Sequence, residues 1–319
     1  MAAPIPIGVW HWAGFILFVL LAVALDLGVF HRAARVVTVR QALLWSGWWL
    51  LLALLFAGLL AQWRSREEAL QFLTGYLVEY SLSLDNVLAM VLIFASFGVP
   101  AEHQHRVLTL GIIGALLMRG LMIGAGAALV QRYHWVLYCM GLFLVVTGLR
   151  WGFSRPAAMR PQENPAIRLA RKFFPVSTEF DGSRFVTLAE GRRALTPLAL
   201  VLLAVETTDL IFAVDSIPAI FAVTQNAFLV FTSNIFAILG LRSLYFVMAG
   251  AMASFRYLRT GLACVLVVIG LKMLLARWWP VPTSLSLGVV LVIVAAAMVC
   301  SARAARRDKR RANTPGSAA

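Results

Sequence analysis

Apolar runs of about twenty residues, each long enough to cross a hydrocarbon layer roughly 30 Å thick at 1.5 Å per residue, recur along almost the whole chain. Charges, Gly/Pro clusters and aromatics bound nine such windows, at 9–30, 41–62, 71–94, 107–130, 134–152, 196–222, 228–250, 259–277 and 283–302. The pattern predicts an all-α, polytopic membrane protein with nine transmembrane helices. Two N-terminal helices fill 1–70, a three-helix unit 71–152, a basic loop 153–195, a second three-helix unit 196–277, a final helix 278–302 and a disordered tail 303–319.

Composition agrees: 61% of the 319 residues are hydrophobic and 13% charged, which excludes an ordinary soluble domain. The net charge of +14 would suggest nucleic acid in a soluble chain, but these bases sit between apolar spans and set topology instead. With the N-terminus outside, cytoplasmic segments carry twenty Lys and Arg, including Arg32, Arg35, Arg40, Arg106 and the loop and tail clusters. Only Arg64, Arg66, Arg132 and Arg277 then lie outside, so the positive-inside rule selects N-out, C-in. Tryptophans such as Trp10, Trp63, Trp135, Trp151 and Trp278 fall near span ends, as an interfacial belt requires. The first segment lacks a basic leader region and reads as a retained helix. Cys139, Cys264 and Cys300 lie inside spans with no CxxC pairing, so neither a disulfide framework nor a thiolate metal site is expected.

The loop 153–195 contains an amphipathic stretch around Arg168–Phe174 and an Asp181-Gly182 turn between short β-like runs. A surface helix plus a small hairpin is one reading, a plain linker the other. The tail after Arg303 reads as disordered, with a base cluster drawn to anionic lipid.

Six acids lie inside predicted spans: Asp26, Glu79, Asp85, Glu206, Asp209 and Asp215. Each ionised carboxylate at mid-bilayer costs about 2.5–3.5 kcal/mol on the most lenient scale, so six imply a purpose. One purpose is interhelical ion pairing with Arg119, Arg150, Arg242 and Lys272. Arg150 and Lys272 sit near enough to span ends to snorkel, which leaves several acids for an ion or proton site.

The acids fall in two related segments. A shift of 130 lays Glu79 on Asp209, Asp85 on Asp215 and Asn86 on Ser216. A shift of 123 lays Arg119 on Arg242, and one of 122 lays Val145–Arg150 on Val267–Lys272. Three consecutive helices thus repeat in order, and under the expected topology the copies insert in opposite directions. This is a 3+3 inverted-topology repeat, which in secondary transporters places the substrate at the repeat interface near the midplane.

Glu79, Ser83 and Asn86 share one helix face, with Ser81 and Asp85 on an adjoining one. Pro218 frees the Val214 carbonyl beside Asp215 and marks an expected helix break. Carboxylate, amide, hydroxyl and carbonyl oxygens suit Mg²⁺, Ca²⁺ or Mn²⁺. The five histidines, at 11, 31, 103, 105 and 134, lie in loops or near span ends, away from such a site. Thr232, Ser233 and Asn234 either extend the site or form interhelical hydrogen bonds. Met90 is either a packing residue or a softer ligand.

At these residues the chain resembles the TerC/Alx family of bacterial membrane proteins. The resemblance is carried by Glu79-Tyr-Ser-Leu-Ser-Leu-Asp85-Asn86 and Phe212-Ala-Val-Asp215-Ser216-Ile-Pro218-Ala219. It continues through Thr232–Phe246, Asn164, Phe173-Phe174-Pro175 and Asp26-Leu27. It implies a manganese exporter of the bacterial inner membrane, in a wider group with LysE-like transporters. It places metal handling on Glu79, Asp85, Asn86, Asp209, Asp215 and Ser216, and less securely on Asp26.

Moving a divalent cation outward against an inside-negative potential costs about 4.6 kcal/mol per 100 mV. The chain has no G-x-x-x-x-G-K-[ST] loop for ATP, so proton antiport is the expected driver. Asp26, Glu206, Arg119 and Arg242 are the secondary or proton-coupling candidates, the two arginines either neutralising acids when the ion leaves or pairing with them permanently. Mn²⁺ is expected as cargo, with no permanently bound cofactor. Protons and the bilayer are the expected partners, nucleic acid is not, and homo-oligomerisation is left open. The rival reading is a membrane-embedded assembly or insertion factor that works through the basic loop. No nucleophile and base stand at credible spacing, so the chain is not expected to be an enzyme.

Overall fold

The computed structural model describes residues 7–31, 39–153, 164–189, 192–249, 257–279 and 281–312, leaving aside the side chains of 26–31, 39, 189, 258 and 305–312. The helices are α1 (Val9–His31), α2 (Val39–Trp63), α3 (Arg66–Phe97), α4 (Ala101–Arg132), α5 (Trp135–Phe153) and α6 (Pro165–Phe173). After strands β1 (Val186–Ala189) and β2 (Arg192–Leu195) come α7 (Pro197–Phe221), α8 (Ala227–Leu239), α9 (Leu241–Ala249), α10 (Leu258–Leu275) and α11 (Thr283–Ala312). Among the described residues, seven segments are long and apolar enough to cross a membrane: α2 to α5, α7, the α8–α9 pair and α11. The protein is a polytopic all-helical membrane protein. The expected windows 9–30 and 259–277 are helical as α1 and α10.

The third helix starts five residues before its expected boundary of 71 because polar residues cap it. Ser65 Oγ accepts from Glu68 N at 3.1 Å, Glu67 and Glu68 fill the first turn, and Arg64 bonds the Glu68 carboxylate. Gly98 closes the helix in the left-handed region at φ 61°. Thr196 and Asn226 cap α7 and α8 in the same manner.

Three expectations are corrected. Pro218 does not break α7, because it sits in the last turn, where a single lost hydrogen bond leaves the helix intact to Phe221. The discontinuity falls instead within the expected span 228–250, at Gly240 between α8 and α9. There a side chain would meet the Tyr80 ring at 3.4 Å and Trp49 at 3.9 Å, so glycine lets three helices close together. The tail is helical to Ala312, ten residues beyond the expected span end at 302, since its Ala, Arg and Lys residues favour helix and no Gly or Pro interrupts them.

The loop is a docked cap, not a plain linker. Helix α6 buries Ile167 and Ala170 and packs on α7, and Arg106 Nη1 donates to Ser183 Oγ at 2.7 Å. The hairpin is displaced from its expected turn. Asp181-Gly182 does turn, but β1 pairs antiparallel with β2 through the Val186–Leu195 and Ala189–Arg192 register. Residues 154–163 and 190–191 lie outside the described part.

The inner helices α3 and α8 bury residues on every side, whereas α2, α4 and α11 expose leucines outward, as lipid contact requires. The two three-helix units pack reciprocally: α3 against α7, α4 against α8, and α5 along α10. A Cβ on Gly148 would meet Ala263 O at 2.8 Å, and one on Gly270 would meet Gly141 O at 2.7 Å. The partners fall along α10 as they rise along α5, so the two helices run antiparallel. A shift of 122 turns each of these contacts into the other. That reciprocity is what a two-fold axis perpendicular to both helices produces, the relation expected of an inverted repeat.

Candidate ion site

The buried centre is built on α3, α4 and α7. Glu79 and Arg119 are wholly buried, and Asp209, Ser216 and Asn86 are 2%, 2% and 3% exposed, so no solvent screens this charge. Arg119 Nη1 donates to Glu79 Oε1 and, at 3.4 Å, to Ser216 Oγ. Its Nη2 donates to Asp209 Oδ1 at 3.1 Å and its Nε to Asp209 Oδ2 at 3.4 Å. Asn86 Nδ2 also donates to Asp209 Oδ1, at 3.1 Å. One guanidinium therefore holds two carboxylates, a geometry that its planar fork allows and a lysine ammonium does not.

The cluster carries one positive and two negative charges. Among the described residues, Glu79 Oε2, Ser83 Oγ and Asn86 Oδ1 are buried with no hydrogen-bond partner. They lie on the face of α3 that turns every third or fourth residue. On α8, Asn234 is fully buried and neither its amide oxygen nor its nitrogen has a partner. Unpaired buried acceptors are costly, about 1–3 kcal/mol each, so a run of them on one face is a polar surface prepared for something else. Hard oxygens of this kind are the donor set of a divalent cation with oxygen preference.

The structure separates the sequence-predicted residues into two groups. Glu79, Asn86, Asp209 and Ser216 come together on Arg119. Asp85 and Asp215 do not join them: both are half-buried, Asp85 in the field of Arg259 on α10 and Asp215 beside Thr147 on α5. The two aspartates thus face opposite members of the antiparallel α5–α10 pair. Glu206 is half-buried near Asp209 and reaches α4 at Gly114, where any side chain would collide with its carboxylate. Among the described residues, no three Asp, Glu, His or Cys residues form a ready metal cage. Asp26 lies outside the described side chains.

The paired arginines differ. Arg242 is 2% exposed but approaches His105 Nε2 and Thr109 Oγ1 on α4, each at 3.4 Å. Arg150 is exposed, consistent with snorkelling, and Lys272 lies in the field of Glu67. Met90 is packed in the apolar core beside Val87 and Val91. Thr232 and Ser233 hydroxyls bond back to Leu229 O and Val230 O. Sequence reasoning placed Arg119 among secondary residues and missed Gly114 and Thr109. The signal for Gly114 was its position on the helix that carries Arg119, in a span otherwise able to hold bulkier residues.

The model for the integral membrane protein TerC family matches residues 64–310, a stretch containing every described residue of this cluster. The chain belongs to the TerC family. Over 91% of both chains it is 50% identical to an uncharacterized membrane protein of Myxococcus xanthus. It is 42% identical to the "Putative membrane-bound redox modulator Alx" of Escherichia coli K12, over 94% of this chain and 97% of that one. An uncharacterized membrane protein of Rickettsia bellii is 34% identical over 89% of this chain and 94% of its own length. No solved structure matches. In TerC-family terms, both acidic motifs lie within the matched region, and the Arg119 cluster joins one to the other.

Proposed function

We propose that this TerC-family protein is a divalent cation exporter of the bacterial inner membrane, with Mn²⁺ as cargo and protons as the counter-ion. The observation that carries the reading is the Glu79–Arg119–Asp209 cluster, buried between the two repeats and flanked by unpaired oxygens. A buried ion pair is weak as a stabilising device, because desolvation offsets most of the attraction. Two acids sharing one arginine, surrounded by partnerless acceptors, make better sense as a site whose occupants change.

The cycle follows from charge. A cation arriving at Glu79 and Asp209 competes with the guanidinium for the same oxygens. Asn86 and Ser216 supply neutral ligands, and Ser83 a further hydroxyl. When the ion leaves, Arg119 restores the pairing, so the acids need not stand unpaired in a low dielectric. Half-buried Asp85, Asp215 and Glu206 are the groups that would exchange protons along the approaches. This reading assigns no resident cofactor and no catalytic chemistry.

The rival assembly-factor reading rests on the docked α6–hairpin cap, and deleting 165–195 while measuring flux separates the two. A redox role, carried over from the name of the Alx relatives, would have only three free cysteines on separate helices to work with. The test is Mn²⁺ uptake into proteoliposomes under an imposed pH gradient. Wild type is expected to transport, and Glu79→Gln and Asp209→Asn to lose at least about tenfold, the value of one buried charged contact. Unaltered flux in both variants sinks the site assignment.

A further inference from the structure

Away from the acid–arginine centre, α1 and α2 line an open groove of about 610 Å³, within the size range of small-molecule sites. Its walls include Phe18 and Leu25 of α1 and Leu44, Trp45, Trp48 and Trp49 of α2. Lining positions recur every three or four residues, so the groove follows two turns of each helix, roughly 11 Å at 1.5 Å per residue. Leu25 and Leu44 are 69% and 68% exposed, whereas Trp49 is buried. The walls offer aliphatic and aromatic surface and no charge, which suits a hydrocarbon chain.

Each wall is fastened to a different neighbour. On α1, the Phe18 ring packs on Phe236 of α8, with centroids 5.6 Å apart. On α2, Ser46 Oγ donates to Ser243 Oγ of α9 at 3.0 Å, and Trp49 backs onto the Gly240 junction. Closing the gap would give up one set of these contacts, so the groove is preformed. One of its ends is basic. Leu25 and Leu44 lie toward the ends of α1 and α2 that the segment 32–38 joins. Arg40 stands one turn before Leu44 on the same face of α2 and is exposed. A helical side chain leans toward its helix start, which carries the Arg40 guanidinium past the groove toward the membrane interface. In the sequence, the joining segment adds Arg32 and Arg35, and no acid occurs from 27 to 66. The positive-inside count expects this end at the cytoplasmic leaflet, whose surface potential is negative.

We propose that the α1–α2 groove is a binding site for an anionic phospholipid, one acyl chain lying between Leu25 and Trp48 and the phosphate headgroup on Arg40. Hydrocarbon alone would use the groove and not the base, and a zwitterionic lipid would gain little from the base. A lipid with a net negative headgroup uses both. The site stands apart from the cation reading and needs no part of the acid–arginine centre.

The test takes full-length protein in detergent, stripped of lipid and titrated with phosphatidylglycerol or phosphatidylcholine of the same chains, and counts bound lipid by native mass spectrometry. Wild type is expected to retain one phosphatidylglycerol in preference to phosphatidylcholine. Arg40→Gln lowers that preference about fivefold, the worth of one base near an anionic surface, and Arg40→Lys keeps it. Leu25→Trp, at an exposed wall position, fills the groove without changing charge and removes the retained lipid. Arg132→Gln, at an exposed base ending α4, changes nothing. In mixed vesicles, bromine on the phosphatidylglycerol chains quenches tryptophan fluorescence more than the same bromine on phosphatidylcholine, and the excess shrinks in Trp48→Phe. Equal retention of the two lipids by wild type overturns the proposal. So does full retention in Leu25→Trp beside loss in Arg40→Gln, which would mean a headgroup contact with no chain in the groove. A dimer that Leu25→Trp dissolves, with lipid retention unchanged, gives the groove to a second copy and overturns it as well.

Discussion

Arg119 is the residue on which the centre depends, because its fork binds carboxylates from two different helices, α3 and α7, while itself wholly buried. Arg119→Ala leaves Glu79 and Asp209 buried against each other. Breaking a buried ion pair from one side costs about 3–5 kcal/mol, and denaturant unfolding in detergent is expected to register a loss of that order. Arg119→Lys retains the charge but reaches one carboxylate at a time, so it recovers part of the stability and little of the flux. Ser83 gives the opposite contrast. Its hydroxyl is buried and unpaired, so Ser83→Ala is expected to leave the unfolding midpoint unchanged or raise it while lowering Mn²⁺ flux. A fall in stability with normal flux would make Ser83 a packing residue.

At the scale of helices, the α5–α10 pair depends on glycines whose missing side chains allow backbone contact. Gly270→Val would drive a branched side chain into Gly141 O and Val145 N, at 2.7 and 2.9 Å from its Cβ. Overpacking of this kind costs about 1–3 kcal/mol, to be read from thermal unfolding. Gly124→Ala on α4 meets nothing within 4 Å and is expected to stabilise slightly, by about 0.5–1 kcal/mol from helix propensity alone. Equal effects at the two positions would contradict the packing account. The helices themselves were legible in the sequence because a lipid solvent forces long apolar runs, and the reciprocal α5–α10 glycine contacts match the order of glycines that the sequence shift of 122 had shown. The break at Gly240 was not, since a lone glycine in an apolar run signals close approach only when its neighbours in space are known. Nor was the separation of Asp85 and Asp215 from the central acids. Helical spacing puts Asp85 on a face adjoining Glu79, but which partner each face meets depends on the packing of α5 and α10.

For the molecule as a whole, the reciprocity of contacts between the two three-helix units ties the site to the topology. The positive-inside count predicts an N-terminal reporter accessible from outside the cell and a C-terminal reporter confined to the cytoplasm. Both reporters on the same side would contradict the nine-span count and its N-out, C-in topology. The docked loop, with Arg106 bonded to Ser183 and α6 packed on α7, lies against the helices that hold Arg119 and Asp209, and the same count predicts that a reporter in this loop is reached from the cytoplasm. The central claim is that the acid–arginine centre exchanges a divalent cation for protons. Its most direct test is to impose a Mn²⁺ gradient alone across sealed proteoliposomes, with equal pH on both sides, and to follow internal pH with a trapped dye. The account predicts proton movement opposite to Mn²⁺ in wild type and none in Asp209→Asn. Mn²⁺ entry with no change of internal pH, or a pH change that survives Asp209→Asn, would contradict it.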